Sequence, residues 1–501
     1  MHTILPASPF LYGALGAGIS YYGLPLLASP QRVPGIWGAF LFMAMLLSFI
    51  QVLSQSPELW EPTQGLRCCR VYSLALALGL SLGLAAGSRI QPASLGLPQN
   101  QVQGIYGTLS EDPRSFHDNR GMGYLTLKQV SASGGIRASA RGRVRVFFPE
   151  GTIPRVRSFG RGSGVYLEGA FLTQDSPIPP PLTGESCFRA YAVHLLRPAS
   201  ALEQMRTRWR MGLMERFARA PWAGLAEALL LGVQDNLDTE LSKAYRDAGC
   251  SHVLALSGMH LAILTGLLSR FLRKLLGSKA ASLGGGLCIL GYVSLVGNFP
   301  SLERAAIMYL LGIPAVLGSV PKVQGAGFSI SFLGMAFLIQ ILRTPEAGQS
   351  ISFILSYLAL GGMLFIGRAI HELIRGSIPE LLAEPLAASL GAFIATAAAV
   401  AWFFDSLRPV GILAGLIIVP LSTWFMLFAL FALLLPAPAL GLILSILYTL
   451  LQGLVSLAAR VPGIPGAYPL QAALLSLGVS AALMALSHRQ TILRSHLDPF
   501  T

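Results

Sequence analysis

The chain has 501 residues, of which 53% are hydrophobic and 12% are charged, and its formal net charge is +13. A typical globular chain is about a quarter charged. The missing charge leaves long apolar runs, and residues 409–459 contain no Asp, Glu, Lys or Arg. About 20 apolar residues cross a bilayer as a helix, so the composition predicts a polytopic α-helical membrane protein. It excludes soluble and disordered chains, and the unbroken runs exclude a membrane-spanning β-barrel.

The apolar runs predict about twelve membrane-spanning helices. Three runs open the chain, at about 10–27, 36–52 and 71–86. Others follow at about 250–272, 281–299, 305–320, 325–342, 350–367, 385–404, 409–435, 437–459 and 468–487. Arg67 and Arg70 lie between the second and third runs, and cytoplasmic loops collect Lys and Arg. We therefore expect both termini in the cytoplasm and residues 91–200 outside it.

Residues 91–200 are polar and rich in Gly and Pro, and their pattern is typical of strands. In the segment 141–148, Arg143 and Arg145 alternate with Val144 and Val146, which is the period of a half-buried strand. Similar segments lie at 102–109, 124–130, 165–172 and 190–195. About five short strands predict a small all-β domain like an OB-fold. A different five-stranded sandwich would give the same pattern.

Arginines cluster in this β-domain together with Phe147, Phe148, Phe159 and Tyr166. The arginines are Arg137, Arg141, Arg143, Arg145, Arg155, Arg157 and Arg161. Arginine interleaved with aromatic residues suits phosphate contact and base stacking, so we interpret the cluster as a candidate single-stranded DNA surface. The alternative is that the arginines form the solvated face of a strand and the aromatics its core.

Residues 201–222 predict a basic amphipathic helix. Leu202, Met205 and Trp209 recur at helical spacing and are opposed by Arg206 and Arg210. Such a helix can lie on a membrane surface. It can equally pack against its own protein.

The most informative apolar run contains His252, Ser257 and His260. In a continuous helix over 250–272 these residues share one face. Polar groups within a span usually face a bundle interior or a water-filled path, so they are candidates for lining a pathway. The alternative is hydrogen bonding between helices, with Gly258 allowing close approach.

Ser257 and His260 are also spaced as a hydrogen-bonded pair, which raises the alternative of an intramembrane serine hydrolase. The G-x-S-x-G elbow is absent, because Ala255 and Met259 occupy its glycine positions. His252 and His260 are eight residues apart, which is not the spacing of a helical metal pair. We therefore expect no catalytic residue, no metal and no cofactor.

Several segments resemble the motifs of the ComEC family of bacterial competence channels. Residues 249–260 read GCSHVLALSGMH, 300–306 read PSLERAA, 353–359 read FILSYLA, 419–421 read VPL, and LLLG at 229–232 precedes them. Val233, Ile354 and Gly415 depart from the polar residues of the family pattern. The residues that match the channel motif are Gly249, His252, Ser257, Gly258, His260 and Arg304.

The resemblance implies an inner-membrane channel that passes single-stranded DNA into the cytoplasm during natural transformation. Many relatives also carry a C-terminal metallo-β-lactamase-like domain, whose H-x-H-x-D-H ligands this sequence lacks. We therefore expect no enzyme activity in this chain. The expected partners are single-stranded DNA, the lipid bilayer, a separate nuclease, other competence proteins and further copies of the chain. The rival to a channel, besides the hydrolase, is a small-molecule transporter, although no inverted repeat is evident.

These interpretations divide the chain into five regions. Residues 1–90 are N-terminal membrane helices, 91–200 the OB-like domain, and 201–222 the interfacial helix. Residues 223–490 are the multi-span channel domain, and 491–501 form a tail.

Overall fold

The computed structural model describes residues 14–23, 76–87, 93–116, 120–149, 151–172, 186–218, 220–297, 299–317, 326–435, 438–466 and 471–487, the first and last with short gaps. The second predicted span, 36–52, lies outside these residues, as do Arg67, Arg70 and the C-terminal tail, and the first, 10–27, is described only between residues 14 and 23. Within the described part the protein is mostly helical, with a separate β-region and five helices long and apolar enough to cross a membrane. Composition and helix length agree in indicating a membrane protein.

The described part of the β-region has eight strands. They are β1 Ser94–Leu95, β2 Val102–Leu109, β3 Arg114–Phe116, β4 Arg120–Ala132, β5 Arg137–Arg141, β6 Arg143–Phe148, β7 Gly164–Phe171 and β8 Cys187–Arg197. Strand β4 pairs with β2, β2 with β7, β7 with β8, β8 with β6, and β6 again with β4. These five strands therefore close a ring. The β6–β8 pair is parallel and the other pairs of the ring are antiparallel.

The alternation predicted for residues 141–148 is confirmed, but the segment is not one strand. Val144 and Val146 are fully buried in the barrel core, whereas Arg143 and Arg145 point outward and are half-buried. Gly142 separates β5 from β6 with a φ of 106°. That value lies in a region that residues with a Cβ rarely adopt, so the glycine permits the chain to turn between the two strands.

The helices of the described part, taken in chain order, agree with most of the predicted runs. They are α1 Leu76–Gly87, α2 Ile153–Phe159, α3 Ala201–Phe217, α4 Ala223–Leu231, α5 Thr239–Asp247, α6 Ser251–Leu254, α7 Gly258–Val296, α8 Pro300–Leu317, α9 Ala326–Arg343, α10 Ile351–Ile374, α11 Glu380–Phe404, α12 Val410–Leu434, α13 Pro438–Ala458 and α14 Leu474–Ser487. The predicted total of about twelve spans stays a prediction, because five helices meet the criteria for a span within the described residues.

Helix α7 is a hairpin rather than one long rod. Gly277 interrupts it with φ 82° and ψ 173°, and the two arms run antiparallel, because Gly285 lies against Ser269 and Gly284 against Leu272. The arms correspond to the predicted runs 250–272 and 281–299. Around the tip lie the basic residues Arg270, Arg273, Lys274 and Lys279. Both ends of the hairpin consequently lie on the side opposite this basic tip.

Helix α3 packs on its own protein, which is one of the two alternatives that the sequence left open. Arg210 and Phe217 are buried against the protein, while Leu202, Met205 and Trp209 are 74%, 46% and 65% exposed. Arg210 therefore faces inward, and an apolar face lies outward. The predicted contact of α3 with a membrane surface stays a prediction.

Candidate functional site

The helix expected over 250–272 is interrupted. Helix α6 ends at Leu254, Ala255 is extended, and α7 begins at Gly258 with Ser257 as its N-cap residue. The expectation that His252, Ser257 and His260 share one helical face is therefore wrong. Serine favours this N-cap position because its side chain can satisfy a free backbone N–H. His252 lies on the exposed side of α6, whereas His260 is buried.

Ser257 and His260 cap the start of α7 together. The Ser257 N–H donates to Nδ1 of His260 over 3.0 Å, and the Ser257 Oγ lies 3.1 Å from the same nitrogen. Because the backbone N–H can only donate, Nδ1 must accept, and a neutral His260 carries its proton on Nε2. A Ser257 nucleophile would have to give its proton to the Nδ1 lone pair of His260. The backbone N–H of Ser257 already engages that lone pair. This geometry argues for a capping role and against a hydrolytic pair.

Gly249 is required by close packing. Its φ is 71°, and a Cβ there would lie 2.8 Å from the carbonyl oxygen of Arg408 and 3.1 Å from the Cα of Gly411. Arg408 also pairs with Asp247 over 2.8 Å. The structure therefore places Gly249 at the contact between the α5–α6 turn and the start of α12.

The starts of α7 and α8 meet at one point. A Cβ on Gly258 would lie 3.0 Å from Cβ of Ala305, so the glycine allows the close approach. Ser301 donates from Oγ to the carbonyl oxygen of Leu256 over 2.6 Å. The motifs at 249–260 and 300–306 are thus neighbours in space, which their separation in sequence does not reveal.

Arg304 lies at this meeting point. It is 8% exposed, and its Nη1 donates to the carbonyl oxygen of Ser356. Its guanidinium lies 5.6 Å from the ring centroid of Tyr357, and its Nη2 lies 3.6 Å from the Cβ position of Gly258. Three motifs that resemble those of one family therefore converge on Arg304.

A polar network beside Arg304 engages the carboxylate of Glu303. Gln340 donates to Glu303 Oε2 over 3.3 Å and accepts from the Tyr357 hydroxyl over 2.7 Å. Arg343 pairs with Glu303 over 3.1 Å. Sequence reasoning missed Gln340, because a single Gln in an apolar run carries no spacing signal.

The arginine cluster of the β-domain divides into two sets. Four arginines have partners inside the protein: Arg143 pairs with Glu111, Arg157 with Asp235, Arg161 with Glu203, and Arg145 donates to the Tyr124 hydroxyl. Arg157 is 7% exposed, so it is unavailable to a macromolecule in this conformation. Arg137, Arg141 and Arg155 are exposed.

An aromatic row that sequence reasoning missed crosses the outside of the barrel. Tyr106 stacks on Tyr166 with ring centroids 4.3 Å apart, and His194 follows at 6.0 Å. These residues are register partners on β2, β7 and β8. The guanidinium of Arg137 lies 4.9 Å from the Tyr106 centroid. Only strand pairing brings these rings together, so the sequence alone could not reveal the row.

A second ion-pair network joins the barrel to α3 and to the end of α7. Asp112 pairs with Arg206 and, over 2.8 Å, with Arg210. Both the Asp112 carboxylate and the Arg206 guanidinium lie within 4 Å of the Cβ position of Gly297. The barrel therefore contacts the membrane domain at the end of the α7 hairpin that is opposite the basic tip.

Glu227 is buried near this junction, in α4. It is 0% exposed and accepts a hydrogen bond from Asn236 Nδ2 over 2.8 Å. Desolvation raises the pKa of the Glu227 carboxyl above its ordinary value, and the Asn236 bond opposes the shift. Nothing in the local sequence pattern pointed to this residue.

Sequence comparison now assigns the membrane domain. Residues 229–491, just over half of the chain, match the family described as "Competence protein". The chain belongs to this competence family. The match covers the meeting point of α7 and α8 and every residue of the channel motif, whereas the β-barrel lies outside it.

Two curated relatives match part of this competence-family chain. "ComE operon protein 3" of Bacillus subtilis (strain 168) is 31% identical over 176 residues, which are 34% of this chain and 21% of that protein. An "Uncharacterized protein" of Aquifex aeolicus (strain VF5) is 28% identical over 200 residues, 40% of this chain and 44% of that protein. The matches thus span less than half of either relative. No solved structure matches.

The described residues contain no group of three or more His, Cys, Asp or Glu side chains that could hold a metal ion. The helix N-termini, guanidinium groups and aromatic rings described above are groups that can bind anions and nucleobases.

Proposed function

We propose that this competence-family protein is an inner-membrane channel that passes single-stranded DNA into the cytoplasm. The observation that carries the proposal is the buried arginine at the meeting of two helix starts, in a membrane domain of this family. A transported polyanion needs cationic groups at membrane depth, and intramembrane ionisable residues usually mark pathways. The interruption at residues 255–257 supports the same conclusion, since irregular backbone in a membrane domain lines cavities or lies within protein.

The second support is the β-barrel, for which we propose an OB-like fold over residues 91–200. Five strands close a ring, and helix α2 lies between β6 and β7. This arrangement suits the OB-fold, a class of barrel that binds oligonucleotides. Arg137, Arg141 and Arg155 offer exposed cations, and the row of Tyr106, Tyr166 and His194 offers aromatic surface. Phosphate contact and stacking on rings are the two means by which proteins bind single strands without reading sequence.

We propose that the barrel lies outside the membrane and that both termini lie in the cytoplasm. The basic tip of α7 and the barrel are at opposite ends of the hairpin, and Lys and Arg favour the cytoplasmic side. The exposed apolar face of α3, over Leu202, Met205 and Trp209, then contacts the outer leaflet. Residues 223–490 form the channel domain, and a separate nuclease is a further proposed partner.

The two rivals make different predictions. A small-molecule transporter predicts substrate-dependent transport that single-stranded DNA does not inhibit. An intramembrane hydrolase predicts that Ser257→Ala abolishes function, whereas a capping serine in a channel tolerates the change with modest loss of stability.

The direct test is a deletion strain assayed for uptake of labelled DNA, complemented by wild-type protein and by variants. We expect uptake to be lost on deletion and restored by wild type and by Ser257→Ala. His260→Leu should reach the membrane at normal level and fail to restore uptake. Unchanged uptake in the deletion strain would refute the proposed function.

Orientation and access have their own tests. Reporter fusions at Gly151 and Thr501 should be active outside and inside the cytoplasm, respectively. Ser257→Cys, in a background without the native cysteines, should react with a membrane-impermeant thiol reagent added from outside, because labelling needs water and access. Cytoplasmic activity of the Gly151 fusion would reverse the orientation.

A further inference from the structure

Two helix N-termini and one buried cation converge at the same place in the membrane domain. Helix α7 begins at Gly258 and α8 at Pro300, and the hydrogen bond from Ser301 to Leu256 holds these starts together. Each helix N-terminus carries a partial positive charge from its first N–H groups, although Ser257 and His260 cap part of the first turn of α7 and Pro300 has no N–H. Arg304 lies in the first turns of α8 and also contacts the start of α7. The two helix N-termini and Arg304 therefore all contribute positive charge at this place.

Glu303 lies in the first turn of α8, but it does not pair with Arg304. Among the described residues, no carboxylate lies within ion-pair distance of Arg304, since Glu303 is engaged by Arg343 and Gln340. The Nε of Arg304 is buried and has no hydrogen-bond partner. A buried charge without a counter-charge is strongly unfavourable. The arrangement is therefore complete only when an anion binds.

We propose that the N-termini of α7 and α8, together with Arg304, form an anion site that holds one phosphodiester group of a single-stranded DNA backbone. The inference rests on the proposed function, because the channel brings the polynucleotide to this site. Helix N-terminal N–H groups bind phosphate oxygens. Arginine adds a charge-assisted hydrogen bond to the same group. The site thus recognises the backbone and is indifferent to base sequence.

The position of the site suits the mouth of a channel. Gly297, at the other end of the same hairpin, lies against Asp112 and Arg206 at the barrel junction. The site is therefore on the barrel side of the membrane domain, away from the basic tip at Gly277. A strand released from the barrel then meets Arg304, a buried cation that has no carboxylate partner among the described residues.

A lipid headgroup phosphate or free phosphate could occupy the same anion site. The test therefore distinguishes these two occupants from a DNA phosphate. The full chain, with its native cysteines replaced and Ala255→Cys as reporter, is placed in nanodiscs of phosphatidylcholine. Ala255 is exposed in the interruption beside the site, and this reporter leaves the Ser257 cap intact. The rate of labelling by a water-soluble maleimide is measured with an oligothymidylate, its uncharged methylphosphonate analogue, or inorganic phosphate as competitor.

We expect the oligothymidylate to slow labelling about tenfold and the methylphosphonate to have no effect, because the contact is to backbone charge. Arg304→Gln should abolish the protection, and Arg304→Lys should retain part of it. The matched control is Arg273→Gln, which removes an exposed arginine at the tip of the α7 hairpin, away from the site, and should leave protection unchanged.

Other results overturn the inference. Absence of labelling would show that water does not reach the site, and equal protection by the methylphosphonate would show that charge is not recognised. Protection by inorganic phosphate alone would exclude DNA as the occupant. Slow labelling in phosphatidylglycerol nanodiscs that depends on Arg304 would assign the site to lipid. Protection by the oligothymidylate together with normal uptake in the deletion strain would leave this inference standing and refute the proposed function.

Discussion

Arginines are buried both at the barrel junction and at the meeting point of α7 and α8. The arginines of the junction pair with carboxylates, whereas Arg304 at the meeting point contacts neutral groups. At the junction, Arg206 and Arg210 converge on the carboxylate of Asp112, and Arg157 on that of Asp235. At the meeting point, Arg304 finds a carbonyl oxygen and an aromatic ring. A paired buried charge stabilises a structure only while both partners remain. A buried charge without a carboxylate partner lowers the stability of the fold. A role in binding an anion would explain its presence.

The largest expected effect comes from breaking the junction. Asp112→Asn removes the carboxylate that Arg206 and Arg210 share and leaves Arg206 with Glu203, so we expect a loss of about 3 kcal/mol in the free energy of unfolding. The measurement is thermal unfolding of the purified chain in detergent. Glu111→Gln, which removes the half-exposed partner of Arg143, is the control and should cost much less. Equal losses in both variants would contradict the importance of burial at the junction.

Removing the unpaired arginine should separate stability from function. Arg304→Met is expected to leave the unfolding temperature unchanged or higher, since it removes a buried charge that has no counter-charge. DNA uptake should fall about tenfold or more, the loss expected for one charge-assisted hydrogen bond of about 1.5–3 kcal/mol. A strong drop in stability with normal uptake per folded molecule would show that Arg304 is structural.

The arginines on the barrel should behave according to their partners. Replacing Arg137, Arg141 and Arg155 together with Gln should weaken single-stranded DNA binding by the full chain. The slope of log affinity against log salt should fall by about 2, from about 0.7 for each phosphate contact. Arg143→Gln, whose charge is already paired with Glu111, should change the slope little. The comparison fails if both variants lose the same slope.

The smallest expected effect is the pH dependence contributed by Glu227. Its pKa is raised in the folded protein, so the folded state binds the proton more tightly than the unfolded state does. Stability from this group is present at low pH and is lost as pH rises above the ordinary glutamate value of about 4.3. Glu227→Gln should be slightly more stable at neutral pH and should vary less with pH. A steeper pH dependence in the variant would contradict the raised pKa.

The sequence predicted the elements better than it predicted the site. The strand at 102–109 and most of the helices from 300 onward follow from local periodicity, because burial of one face imposes it. The break at residues 255–257 was missed, since the apolar pattern continues through it and only Ser257 marks the new cap. The role of Arg304 could not be deduced, because it depends on Gly258 and Ser356, which are distant in sequence.

The partners of the barrel arginines were equally beyond sequence reasoning. The alternation around Arg143 and Arg145 correctly placed them on the outer face of β6. Their pairing with Glu111 and Tyr124 depends on strand register and on the loop after β2, which no local pattern specifies. Arg157 illustrates the limit most clearly, because its partner Asp235 belongs to the membrane domain.

The most direct test of the central claim is a photo-cross-link between the chain and a DNA strand during uptake. A photoreactive residue replaces Ser257 at the start of α7 or, as the control, Leu287, which is 71% exposed on the second arm of the hairpin. In cells taking up labelled DNA, we predict that position 257 cross-links to the incoming strand and that position 287 does not. Cross-linking at 287 alone, or at neither position while uptake proceeds, would contradict a path beside Arg304.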